Sequence, residues 1–213
     1  MTGLKVVGLG GSLKQASRSR AALVVALEGA AAAGASVELL DLRELGLPMY
    51  SPDREANPPA VVASLIDTCY EADGMLWNSP MYNGSVSGSF KNAIDWLHTL
   101  GKRDPPYLYD EVIGLISAAG GTQGLQVVNT MEFSVRSLRG WAVPYVVPVP
   151  QATRVFADSG AVQDQLIEQQ LHLLGEEVVR VANRISRDPT LHRQHECDDA
   201  ADRVVTAAAA SSR

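Results

Sequence analysis

Short, almost wholly apolar runs alternate along this chain with longer segments in which apolar residues recur every three or four positions. Leu4-Lys5-Val6-Val7-Gly8-Leu9 opens the series. Being short, β-branched and ended by glycine, it reads as a buried strand. Runs of the same kind recur at Ser36-Val37-Glu38-Leu39-Leu40-Asp41, at Gly74-Met75-Leu76-Trp77-Asn78, at 111–117 and at 142–147. Between them helices are expected over 18–33, 59–70, 89–100, 122–139 and 161–186. The first is stopped near Gly34, and the second carries Pro59 in its first turn. Residues 42–58, punctuated by Gly46, Pro48, Pro52, Asn57 and Pro58, read as a long loop.

Strands apolar on both faces belong inside a sheet that helices cover on two sides. Right-handed crossovers then give a doubly wound α/β sheet. Five strands favour the flavodoxin-like parallel order 2-1-3-4-5, with helices on both faces. A length of 213 residues suits one core. The expected division is one flavodoxin-like domain over 1–186, followed by a polar tail or surface helix over 187–213.

Composition narrows the function classes. A net charge of −6 and a pI near 5.2 oppose non-specific nucleic-acid binding, which needs a basic face. No apolar stretch is long enough to span a membrane, and residues 1–13 lack a basic leader, so a cytoplasmic protein is expected. Cys69 and Cys197 lie far apart and form no C-x-x-C pair. Cys69 is expected to be a buried free thiol. His192-Arg193-Gln194-His195-Glu196-Cys197-Asp198-Asp199 holds several metal-ligand types but reads better as a solvated tail, so no metal is expected.

Ligands of such sheets bind beyond the carboxyl ends of the strands. Three loops there are unusual. The first, Gly10-Gly11-Ser12-Leu13-Lys14-Gln15-Ala16-Ser17-Arg18-Ser19-Arg20, joins a strand to a helix start. Its glycines allow close backbone approach, its serines offer hydroxyls, and Lys14, Arg18 and Arg20 supply positive charge; together these suit a phosphate. Neither a nucleotide-triphosphate loop nor a full G-x-G-x-x-G is present, because Leu13 stands where the third glycine belongs. Asp41, at the end of the second strand, reads as a capping residue rather than a ribose ligand. The second loop, Asn78-Ser79-Pro80-Met81-Tyr82-Asn83-Gly84-Ser85-Val86-Ser87-Gly88, pairs a stiff proline with an Asn-Gly turn. The third, Ser117-Ala118-Ala119-Gly120-Gly121-Thr122-Gln123-Gly124, has almost no side-chain bulk, so a flat ligand could press on its backbone.

These residues carry a resemblance. Gly11-Ser12-Leu13-Lys14-Gln15-Ala16-Ser17 is similar to G-S-L-R-x-x-S. The run from Pro80-Met81-Tyr82-Asn83 through Lys91-Asn92-Ala93-Ile94-Asp95-Trp96 is similar to P-E-Y-N-x-S-x-x-G-x-L-K-N-A-I-D-W. Both motifs mark the NADPH-dependent FMN reductase family, which includes flavodoxin-like quinone, azo and chromate reductases. The resemblance covers about 4–150. It implies that Ser12, Lys14, Ser17 and Ser19 bind the FMN phosphate. Pro80, Met81, Tyr82, Asn83 and Gly84 would line the isoalloxazine ring, with Ser117, Gly120 and Gly121 at its pyrimidine edge. It also implies NADPH or NADH as donor, a small-molecule electron acceptor, no catalytic side chain, and a homodimer or homotetramer. Two departures stand out: Lys14 replaces the family's Arg, and Met81 its Glu. Two other readings fit the same residues: a flavodoxin-like electron carrier, and a reductase that releases reduced FMN to a partner monooxygenase.

Overall fold

The computed structural model describes residues 3–185. The tail expected at 187–213, with its histidines and Cys197, lies outside them.

In chain order the elements are β1 (Lys5–Gly10), α1 (Arg18–Ala32), β2 (Ser36–Asp41), the single turn α2 (Leu42–Leu45), α3 (Ala60–Tyr70), β3 (Gly74–Pro80), α4 (Gly88–Trp96), β4 (Val112–Ala118), α5 (Leu125–Ser137), β5 (Trp141–Val149), the single turn α6 (Ala152–Val155) and α7 (Gln165–Ile185). The five strands are all parallel and lie in the order β2-β1-β3-β4-β5, the flavodoxin-like order expected from the sequence. β3 and β4 are buried at every position, as central strands covered on two faces must be. β5 is an edge strand and tolerates Pro144, which has no N–H to give. The register between β4 and β5 shifts beside that proline, between Ile113 and Leu115.

Each face of the sheet has its own core. On one side α3, α4 and α5 cover Val7, Leu9, Trp77 and Leu115, and Trp77 meets Phe90 edge to face at 5.8 Å. On the other, α1 and α7 cover Val6, Leu76 and Ile116. There the two helices cross backbone to backbone. A Cβ on Gly175 would stand 2.0 Å from the Ala26 carbonyl oxygen, and one on Gly29 would stand 2.3 Å from that of His172.

Several boundaries differ from the sequence reading. Residues 42–58 contain α2, capped by Asp41, and a 3-10 turn at Pro52–Arg54. The helix expected over 89–100 tightens after Trp96 into a 3-10 segment, Leu97–Lys102. The helix expected from 122 begins at Leu125, because the glycine-rich stretch before it is loop. The last helix begins at Gln165 rather than 161, because Phe156 and Val162 pair across a short turn. Asp164 then accepts from the N–H groups of Leu166 and Ile167. Among the described residues no helix is long and apolar enough to cross a membrane.

The helix crossing predicts that Gly175→Ala lowers unfolding stability by about 2–3 kcal/mol, the scale of overpacking a filled core. Urea unfolding followed by circular dichroism checks this.

Candidate functional site

β1 and β3 run side by side to Gly10 and Asn78, where the first loop departs. Gly10 is seated so closely that a Cβ would lie 2.0 Å from the Asn78 carbonyl oxygen. Gly11, at φ +98°, donates its N–H to that same oxygen at 3.3 Å. Beyond it the loop braces itself. The Lys14 N–H donates to Ser12 Oγ at 3.2 Å. Ser17 caps α1 by accepting the Arg20 N–H at 3.1 Å. Ser19 is buried in the first turn of α1, and its carbonyl accepts from Asn78 Nδ2 at 2.8 Å.

Charge in this loop is narrower than its sequence implies. Arg20 Nε donates to Asp41 Oδ2 at 2.7 Å. The Arg18 guanidinium reaches Asp158 Oδ1 at 2.6 Å and the Phe156 carbonyl at 3.4 Å. Both arginines are thus neutralised by carboxylates from elsewhere in the fold. Lys14 is exposed and has no ion pair among the described residues. Asp41 spends its second oxygen on the Arg43 N–H at 2.9 Å, so it acts as a cap.

The second loop leaves β3 at Pro80, which is buried, and the Met81 N–H donates to the Ala118 carbonyl at 3.2 Å. Tyr82 and Ser85 pair as a minimal hairpin, both N–H···O distances 3.1 Å. Between them Asn83 and Gly84 have φ of 51° and 80°. This is a type I′ turn, whose two positive φ values select Asn-Gly. Tyr82 is 54% exposed and its hydroxyl lies 3.4 Å from Ser12 Oγ, so this turn reaches across to the first loop. Below it, buried Ser79 accepts the Ser87 N–H at 2.9 Å, and Ser87 caps α4 by accepting from Phe90 at 3.2 Å.

The third loop follows β4. Ser117 is fully buried and donates its hydroxyl to the Gly124 carbonyl at 2.8 Å. Its side chain closes the loop from behind and does not face outward. Gly120 and Gly121 are exposed, with nothing within 4 Å of a hypothetical Cβ on either. Gly84 approaches this side too: a Cβ there would lie 3.2 Å from Gln126 Oε1, on the first turn of α5.

One sheet edge therefore gathers Ser12, Lys14, Ser17, Ser19, Pro80, Met81, Tyr82, Asn83, Gly84, Gly120 and Gly121, with Ser117 behind. It offers a helix N-terminus with one open cation, and a shelf of backbone with little side chain. Such an edge can take a flat ligand carrying an anionic group. Asn78, Ser79 and Ser87, which brace the loops, were not among the expected site residues. The one signal for Ser87 was a serine two residues ahead of the expected helix start at 89; the helix in fact begins at Gly88.

Strongly perturbed side chains lie elsewhere. Among the described residues no three His, Cys, Asp or Glu side chains gather as a metal site. Cys69 is buried, and burial pushes its thiol well up. Glu111, just before β4 and so at the opposite edge of the sheet, is 6% exposed. Burial, then the nearby Asp73, push its carboxyl well above the ordinary range.

The chain compares closely with known proteins. Residues 4–154 match the family model described as NADPH-dependent FMN reductase. Over 181 residues the chain is 32% identical to an NAD(P)H-dependent FMN reductase of Pseudomonas aeruginosa, covering 80% of this chain and 93% of that protein. It is 38% identical over 125 residues to an NAD(P)H:quinone oxidoreductase of Solanum tuberosum, covering 57% of this chain and 61% of that protein. The match thus spans about three fifths of the plant relative's length. Its fold is similar to that of FerB, a flavoenzyme NAD(P)H:(acceptor) oxidoreductase from Paracoccus denitrificans. The TM-score is 0.70 at 23% identity, covering 85% of this chain and 98% of that one.

The raised pKa of Glu111 has a definite sign. The folded state holds that proton more tightly than the unfolded chain, so its contribution is full below the ordinary glutamate value of 4.5 and is lost as pH climbs above it. Glu111→Gln is expected to match the parent near pH 4 and to be the more stable at pH 8. Thermal unfolding across that range checks it.

Proposed function

The chain belongs to the NADPH-dependent FMN reductase family, and on that footing we propose that it is an FMN-dependent NAD(P)H oxidoreductase. Its acceptor would be a small molecule such as a quinone, an azo compound, a metal oxyanion or free flavin. The observation that carries this reading is the meeting of three loops at one sheet edge: one built for an anion, one a tight turn presenting Met81 and Tyr82, and one nearly free of side chains.

The residues fit FMN. Lys14 has no carboxylate partner among the described residues, so its charge is available to a phosphate. Ser12 and Ser17 border it, and Ser19 contributes through the first turn of α1, where N–H groups point outward. Gly120 and Gly121 leave open space where a ring can lie against backbone. Pro80, Met81, Tyr82, Asn83 and Gly84 form the facing wall, held in shape by the type I′ turn. What FMN supplies when bound is two-electron chemistry, hydride in from NADPH or NADH and electrons out to the acceptor. The protein's part is placement: Lys14 and the helix start orient the phosphate, and the bare Gly120-Gly121 loop leaves room for the ring. No acid, base or nucleophile of this chain is required.

A homodimer or homotetramer belongs to the same proposal. On the face covered by α4 and α5, Phe133 is 73% and Leu125 51% exposed. A cleft of about 520 Å³ opens there, lined by Ile94, His98, Tyr107, Phe133 and Leu138 among others. α5 starts directly from the Gly120-Gly121 loop, so a second copy seated on this face would also border the ligand edge.

Two experiments test these readings. Protein mixed with FMN is expected to show flavin bands that bleach with NADPH or NADH under anaerobic conditions and return on adding a quinone. Lys14→Ala is expected to raise the FMN Kd roughly tenfold, the scale of one charged hydrogen bond. Absence of FMN binding at micromolar concentration would sink the assignment. In sedimentation, the parent is expected as a dimer or tetramer and Phe133→Glu as a monomer; a monomeric parent would remove the assembly.

A further inference from the structure

Asn78 is fully buried at the carboxyl end of β3, two residues before the motif that begins at Pro80. Its polar groups divide their work. The backbone oxygen accepts from Gly11, and side-chain Nδ2 donates to the Ser19 carbonyl at 2.8 Å. Oδ1 is buried with no hydrogen-bond partner among the described residues. One residue thus holds the first loop at both ends, at Gly11 where it leaves β1 and at Ser19 where it has become α1.

Stability alone does not account for an asparagine here. An orphaned buried acceptor is itself a cost. The Ser19 carbonyl would not be stranded without Nδ2, because a carbonyl of the first helical turn also accepts from the N–H four residues on. An apolar side chain of the same branching would remove the orphan and keep the contact volume. What it could not do is tie the first turn of α1 to the end of β3.

We propose that Asn78 is a positioning residue for the anionic end of the ligand. Through Ser19 and Gly11 it fixes the spacing between the loop backbone and the N-terminus of α1 into which a phosphate monoester must fit. The proposal rests on the FMN reading above. It separates the phosphate from the ring, because Asn78 accepts from Gly11 and donates to Ser19, both in the first loop, whereas the shelf for the ring is built from Pro80 to Gly84 and from the third loop.

The test compares FMN with riboflavin, which has the same ring and no phosphate. Kd for each is measured by flavin fluorescence on the full chain, with thermal midpoints alongside, for the parent, Asn78→Leu and Asn78→Ala. The expected result is an FMN Kd raised about fivefold or more, the scale of one net hydrogen bond. The riboflavin Kd should stay unchanged, and Asn78→Leu should unfold at the parent's midpoint or above it. Equal weakening of both flavins, or of neither, would overturn the proposal, as would failure of both variants to fold. A parent that binds riboflavin but gains nothing from the phosphate also overturns it. A parent that binds neither flavin overturns the cofactor assignment itself, and this inference with it.

Discussion

The seat of Gly10 against Asn78 is the contact on which the ligand edge depends. Neighbouring strands lie about 4.8 Å apart, and at their ends β1 and β3 keep that spacing only because residue 10 has no side chain. The chain then turns immediately, Gly11 bonding back to β3, and α1 starts within a few residues. The other two loops are also closed from beneath by buried polar side chains: Ser79 to the Ser87 backbone, Ser117 to the Gly124 carbonyl. Glycine-containing loops such as these would otherwise have many shapes to choose from. Buried serines and one asparagine restrict that choice without occupying the upper surface.

Electrostatics sharpen the same edge by subtraction. The first loop brings three cations, and acids at the ends of β2 and beyond β5 take two of them. Each pair has one partner open to solvent, Arg20 in one and Asp158 in the other, so neither adds much to stability. Their effect is to fix which positive charge is left available, Lys14, in a chain whose net charge is −6.

Most of the architecture was legible because apolar period and glycine punctuation agree at each strand. Central β3 and β4 could be read as doubly covered from their unbroken apolar runs, Met75-Leu76-Trp77 and Val112-Ile113-Gly114-Leu115-Ile116. The turn Asn83-Gly84 was legible for a similar reason, since few other pairs accept two positive φ values. What escaped was long-range pairing. Nothing near Arg18 in sequence indicates Asp158, and nothing near Ser117 shows that its hydroxyl points inward to Gly124. Asn78 was visible as a loop residue, but its bond to Ser19 joins positions 59 apart. The late start of α7 has the same origin: residues 161–164 have a helix-compatible composition, and the bridge from Phe156 to Val162 takes precedence.

The crossing of α1 and α7 ties the two ends of the described chain together. Gly29 leaves the ribosome about 150 residues before Gly175 does. Until then the apolar face of α1 has a sheet beneath it but no helix beside it. Folding during synthesis therefore cannot run to completion from the N-terminus, however early the first strands pair. One layer of the molecule closes only when α7 emerges, and a nascent chain that stalls before Gln165 would present that open face to chaperones or to other unfinished chains.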